Sequence, residues 1–223
     1  MTTTEVTTVQ AGKPPTEFDA TRMLDQIDRA VEEGAPAKTW VGTLLRFNKG
    51  DYLIGRDKDV TVVPLGTKFT LAIDTWEQGW EKWWNKELVD RRTGFVYDGF
   101  SRPARDDLGD NDPEHWPINA RSGKPEDPWQ RVDRVVMYAK KGDEGGLYTF
   151  STRSWGGIEA LRKLMERASR IMRMEHPHDY PIVQLESDSY RHPNYGKIDT
   201  PEFAIVGWDS DRWLGAELRK DAA

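Results

Sequence analysis

Four tryptophans fall within nine residues, Trp76, Trp80, Trp83 and Trp84, in the run Asp74-Thr-Trp-Glu-Gln-Gly-Trp-Glu-Lys-Trp-Trp-Asn-Lys86. Few segments restrict a fold more. The spacing fits one face of a helix at i, i+4, i+7 and i+8. It also fits a strand carrying Trp76, Trp80 and Trp84 on one side and Trp83 on the other. Gly79 in the middle and the aromatic density favour the strand. A helix here would also interrupt what otherwise reads as a β-meander. A strand with tryptophan on both faces buries one face. The other is either a second wall or a platform for flat ligands.

The flanking sequence supports that meander. Val41–Phe47 and Tyr52–Ile54 surround Asn48-Lys49-Gly50-Asp51, a hairpin signal. Lys68–Thr75 alternates and runs directly into the tryptophan segment, with Leu88–Tyr97 as its return strand. A hairpin of Val132–Ala139 and Leu147–Thr152 follows, joined by Lys140-Lys141-Gly-Asp-Glu-Gly-Gly. Gly156-Gly157 opens the clearest helix, with Ile158, Leu161, Leu164, Met165, Ala168, Ile171 and Met172 as its buried stripe. Strands Ile182–Leu185 and Phe203–Trp208 close the body.

The expected class is mainly β with some α. It is an antiparallel barrel of the OB type, or a curved sheet, with one long amphipathic helix inserted between late strands. Residues 1–17 read as a disordered Thr-rich arm, and 18–34 as a short helix carrying Met23, Leu24, Ile27 and Val31. Residues 40–208 form one β-rich domain, interrupted by a long polar loop at 98–128, and 209–223 are a polar tail.

Composition narrows the function. The chain has no cysteine, which removes disulfide and thiolate chemistry. No apolar run approaches the ~20 residues that span a bilayer, and the N-terminus lacks the features of a signal peptide. A cytoplasmic, soluble protein is the expectation. The net charge of −6 argues against binding duplex over the whole surface. Residues 129–174, however, carry ten basic and five acidic side chains, enough for a local basic groove.

Aromatic and basic residues are mixed on both hairpins. The first supplies Trp80, Lys82, Trp84, Lys86, Arg91 and Arg92; the second supplies Arg134, Tyr138, Lys140, Lys141 and Arg153. Bases stack on such aromatics at roughly 1–3 kcal/mol each while Lys and Arg neutralise phosphates. The competing reading is a tryptophan core with ordinary solvated charge around it. On the helix, Arg162, Lys163, Arg167, Arg170 and Arg173 read as a solvated face with Glu159–Lys163 and Glu166–Arg170 pairs.

Other clusters are weaker. Asp106–Glu114 is rich in carboxylates but lacks the spacing of a calcium loop. Nothing in the sequence supports reading it as an acidic lid that competes with nucleic acid for a basic groove. His176-Pro-His178-Asp179 has two imidazoles and no identifiable third ligand. Glu186, Asp188 and Lys197 make only a loose nuclease-like set. No motif of nucleophilic, phosphate-cradling or zinc-hydrolase type occurs, so neither an enzyme nor a cofactor is expected.

Several strings together carry a resemblance. They are Pro64-Leu-Gly-Thr, Gly79-Trp with Arg91-Arg92-Thr-Gly94, Asp127-Pro-Trp-Gln130, Tyr148-Thr-Phe-Ser-Thr, and Asp188-Ser-Tyr-Arg-His-Pro-Asn-Tyr-Gly-Lys197 followed by Val206-Gly-Trp208. Over about residues 40–208 the chain resembles a family of small uncharacterised proteins from tailed phages and prophages of proteobacteria. The resemblance implies a phage or prophage setting and no residue roles. Phage replication and recombination cassettes often include OB-type single-stranded DNA-binding proteins.

The sequence therefore leads to a non-enzymatic protein that binds single-stranded DNA in phage replication or recombination. Phage or host replication proteins and a second copy of the chain are its further expected partners. The alternative is a protein-interaction or structural phage component, including a host-defence inhibitor.

Overall fold

The computed structural model describes residues 40–55, 59–119, 122–139, 146–193 and 196–210. The arm, the short helix at 18–34, the Lys140-Lys141 loop and most of the tail lie outside them.

One nine-stranded, strongly curled sheet makes up the body. Its strands are β1 (Thr43–Asn48), β2 (Asp51–Ile54), β3 (Thr61–Val63), β4 (Lys68–Trp84), β5 (Glu87–Phe95), β6 (Trp129–Ala139), β7 (Gly146–Thr152), β8 (Tyr180–His192) and β9 (Gly196–Asp209). The order across the sheet is β3-β2-β1-β7-β6-β4-β8-β9, with β5 also on β4. All pairs are antiparallel except β1 with β7. One long helix, α1 (Trp155–Met174), stands between β7 and β8, as the sequence predicts.

The tryptophan segment is strand. β4 continues through it for 17 residues, first between β6 and β8 and then between β6 and β5. The pairing with β6 slips between Ala72 and Glu77. This irregularity reverses the side-chain alternation, because an odd number of extra residues exchanges the two faces of a strand. Before it, Leu71 opposes Met137 in the core; after it, Gln78 and Trp80 oppose Asp133 and Arg131 on that same side. Hairpin β4–β5 closes through Asn85 and Lys86, both in the left-handed region at φ of 50° and 69°, as a tight two-residue turn requires.

The curl brings the two ends of the sheet together over one core. Tyr52 on β2 is fully buried, and its hydroxyl donates to the carbonyls of Glu186 on β8 and Glu202 on β9, each at 2.9 Å. Its ring meets Phe47, Phe150 and Phe203 edge-on or tilted at centroid separations of 5.0–6.2 Å. Leu161, Leu164 and Met165 of α1 complete this cluster. The helix starts where expected because the Ser154 hydroxyl caps the Gly157 amide at 3.1 Å.

Three details depart from the sequence reading. β3 was not anticipated, and β8 and β9 run several residues beyond their expected ends, forming one long hairpin. Arg162 pairs with both Glu159 and Glu166, in place of the Glu159–Lys163 and Glu166–Arg170 pairs. The fork of a guanidinium spans the two acids, one turn apart on either side.

Candidate nucleic-acid interface

The four tryptophans meet four different environments. Trp76 packs against the core cluster, and its indole N–H donates to Asp133 at 3.3 Å. The Trp80 N–H donates to the Pro103 carbonyl at 3.0 Å, and the Arg102 guanidinium lies 5.8 Å from its ring. Trp83, on the opposite face, lies beneath the Arg153 guanidinium at 4.4 Å. Trp84, beside the Asn85-Lys86 turn, is the most open at 38% exposure. Three of the four are therefore covered by the chain's own side chains or backbone.

The cover on Trp80 comes from the polar loop, which is built on Arg105. That side chain makes a two-pronged contact with Asp127 at 2.7 Å and also donates to the carbonyls of Gly109 and Asp110 and to the Asn111 amide oxygen. The arrangement directs Asp110 to Lys82 at 2.9 Å and to the Trp129 indole at 3.0 Å. The hydrogen bond from Lys82, aided by that of Trp129, holds the Asp110 carboxyl below the usual carboxylate range. The carboxylates of the loop thus organise the loop itself and neutralise Lys82. No cluster able to hold a metal ion occurs among the described residues.

On the opposite face of β4, Glu81 is a hub. It is only 1% exposed and is approached by Arg134, by Arg153 at 3.0 Å and by Arg91 at 3.5 Å. Arg134 also reaches Glu77 at 3.3 Å. Burial opposes ionisation of Glu81, but the three guanidiniums outweigh it and hold the carboxyl below its ordinary value. Asp133 behaves in the other sense: burial raises it, and Arg131 and Trp76 offset only part of that shift.

The structure brings some predicted site residues together and separates others. Arg91, Arg134 and Arg153 converge on Glu81, and Arg134 is enclosed there, so it supports the site from within. Trp84 and Lys86 share the hairpin end, and Arg92 pairs with its near neighbour Asp90 on the same strand at 3.2 Å. Lys82 is occupied by Asp110. Tyr138 pairs with Thr70, on the face opposite Trp80 and about 23 Å further along β6 at the usual rise per residue. A platform that combines Trp80 with Tyr138 is therefore not formed. Lys140 and Lys141 lie outside the described residues.

Sequence reasoning missed Glu81, Asp133 and Arg105. The first two stand at strand positions whose partners depend on cross-strand register, which composition does not reveal. The weaker motifs also separate. His176 stacks on Trp208 at 4.4 Å and contacts Asp179 at 3.0 Å. Lys197 pairs with Asp199 and lies opposite Arg191, whereas Asp188 lies opposite Thr200.

No family model matches the chain, and no curated protein or solved structure matches it.

Proposed function

We propose that the chain is a non-enzymatic, single-stranded DNA-binding protein of a phage or prophage, built on an OB-like barrel and acting in replication or recombination in the bacterial cytoplasm. The observation that carries this reading is the outer end of the β4–β5 hairpin. There Trp84 is exposed beside Lys86, Arg153 lies over the Trp83 ring at 4.4 Å, and Arg91 reaches Glu81 at 3.5 Å. Bases stack on Trp84, and Lys86 and Arg92 approach the phosphates. One stacked base supplies roughly 1–3 kcal/mol, so the arm contributes part of a longer site.

The test is titration of the protein with a single-stranded oligonucleotide at low and at raised salt. Binding that quenches tryptophan fluorescence and weakens steeply with salt is expected. No quenching and no mobility shift at low salt would remove the reading.

A second reading, a protein-interaction component of the phage that includes inhibitors of host defence, has its own support. Trp155 and Tyr97 are 74% and 65% exposed, and exposed aromatics are favoured at protein interfaces. It expects an unchanged tryptophan spectrum with DNA and a stable protein partner in a pull-down.

A further inference from the structure

The geometry points to an oxyanion subsite at the Glu81 cluster, in which Arg91, Arg153 and Trp83, backed by buried Arg134, take a phosphate group. The inference rests on the proposed strand binding only for the source of that phosphate.

The first argument is charge. Three guanidiniums meet two carboxylates, Glu81 and Glu77, which leaves one positive charge uncompensated beside a closely packed strand surface. Arg134 is 4% exposed, so water does little to screen it.

The second argument is hydrogen bonding. The Nε of Arg91, the Nε of Arg134 and the indole Nε1 of Trp83 are enclosed and find no acceptor among the described residues. An enclosed donor without an acceptor has lost its hydrogen bond to water and gained nothing in return. Three within one cluster call for a group with several acceptor oxygens. Glu81 is already shared among three arginines and has little left to give. A tetrahedral oxyanion matches guanidinium forks, which present paired donors in a plane. Chloride lacks this directional match.

Access is the third argument. The side chains of Arg91 and Arg153 are 31% and 42% exposed, so an anion enters at their edge and both can turn to meet it. Trp83 supports Arg153 from below by the ring contact and holds it at the mouth. Both arginines are shifted below the ordinary guanidinium value, first of all by burial. For Arg91 the causes are burial and then the like charge of Arg134; for Arg153 burial leads, and Arg134 adds to it against the pull of Glu81.

The experiment uses the full chain and inorganic phosphate as the probe. Thermal unfolding is followed in phosphate and in chloride at matched pH and ionic strength, for the native protein, Arg153→Gln and Trp83→Phe. Phosphate several-fold above its dissociation constant raises the native midpoint by about 2–4 °C over chloride. Arg153→Gln abolishes that increment, and Trp83→Phe, which removes one donor and keeps the ring, reduces it. No phosphate-specific increment in the native protein, or an equal one in Arg153→Gln, overturns the subsite.

Oligonucleotide binding is measured separately, by Trp84 quenching. Failure of the strand reading is thereby distinguished from failure of the subsite. Competition between phosphate and the oligonucleotide assigns the occupant to the strand backbone. A phosphate increment without competition assigns it to free phosphate.

Discussion

The indole N–H of Trp80 donates to the carbonyl of Pro103 at 3.0 Å, which ties the centre of the tryptophan strand to the start of the polar loop. An enclosed indole usually finds such a partner, and the Arg102 guanidinium also stands over the ring at 5.8 Å. The most regular part of the aromatic pattern is thus structural. The open ring is its last member, Trp84.

That difference separates two substitutions. Trp84→Ala is expected to remove most of the fluorescence change on adding single-stranded DNA and to weaken binding by about tenfold, as loss of good base stacking does. Trp80→Phe keeps the change and lowers stability instead, because an enclosed hydrogen bond is lost. Equal loss of signal in both variants would contradict the assignment of Trp84 as the contact.

The Glu81 cluster predicts a strong asymmetry between breaking and replacing a buried pair. Removing one partner, as in Glu81→Ala, leaves Arg134 buried beside two other guanidiniums and is expected to cost about 3–5 kcal/mol in denaturant unfolding. The double substitution Glu81→Leu with Arg134→Met is expected to cost clearly less than either single change. Additive losses would show that the two side chains act independently.

The same carboxyl gives a dependence on pH. Its folded-state value lies below the ordinary 4.5, so its contribution is complete above that pH and is lost as pH falls through the folded value. Asp133 has the opposite sign: its folded value lies above the ordinary 3.8, and protonation as pH falls through that value relieves a cost. Stability curves for the native protein and Glu81→Gln, recorded between about pH 6 and pH 3, should therefore converge below pH 4.5. Parallel curves would remove the hub role of Glu81.

Gly79 fixes the hairpin arm. It has φ of +156°, and an added Cβ would run into the Arg92 carbonyl on the paired strand. Gly79→Ala should separate β4 from β5, costing roughly 2 kcal/mol or more. Amide exchange of β5 should rise while α1 stays protected. Unchanged exchange in β5 would count against the close approach.

The legible part of the fold follows from local rules. Alternation with a glycine and aromatic residues made 68–84 a strand. The stripe from Ile158 to Met172 gave the helix. Hairpin residues at 48–51 placed a turn. Each signal lies within a few residues of chain and survives whatever surrounds it.

The site was less legible, for a reason visible in β4 itself. The tryptophan spacing predicted which rings share a face. It did not predict the irregularity between Ala72 and Glu77, which decides that this face continues the core side. Arg105 reads as one more charge in a polar loop. Only its contacts with Asp127 and the loop carbonyls show that it builds the cover over Trp80 and Lys82.

The sequence by itself determined a strand-rich chain with one amphipathic helix, tryptophans on both faces of a long strand, and basic side chains nearby. Those properties depend on periodicity and residue type. Tertiary structure alone decided which tryptophan stays open and which arginines meet one carboxylate. Exposure and charge pairing depend on register across strands and on a loop folded back from 20 or more residues away, and no local pattern encodes either.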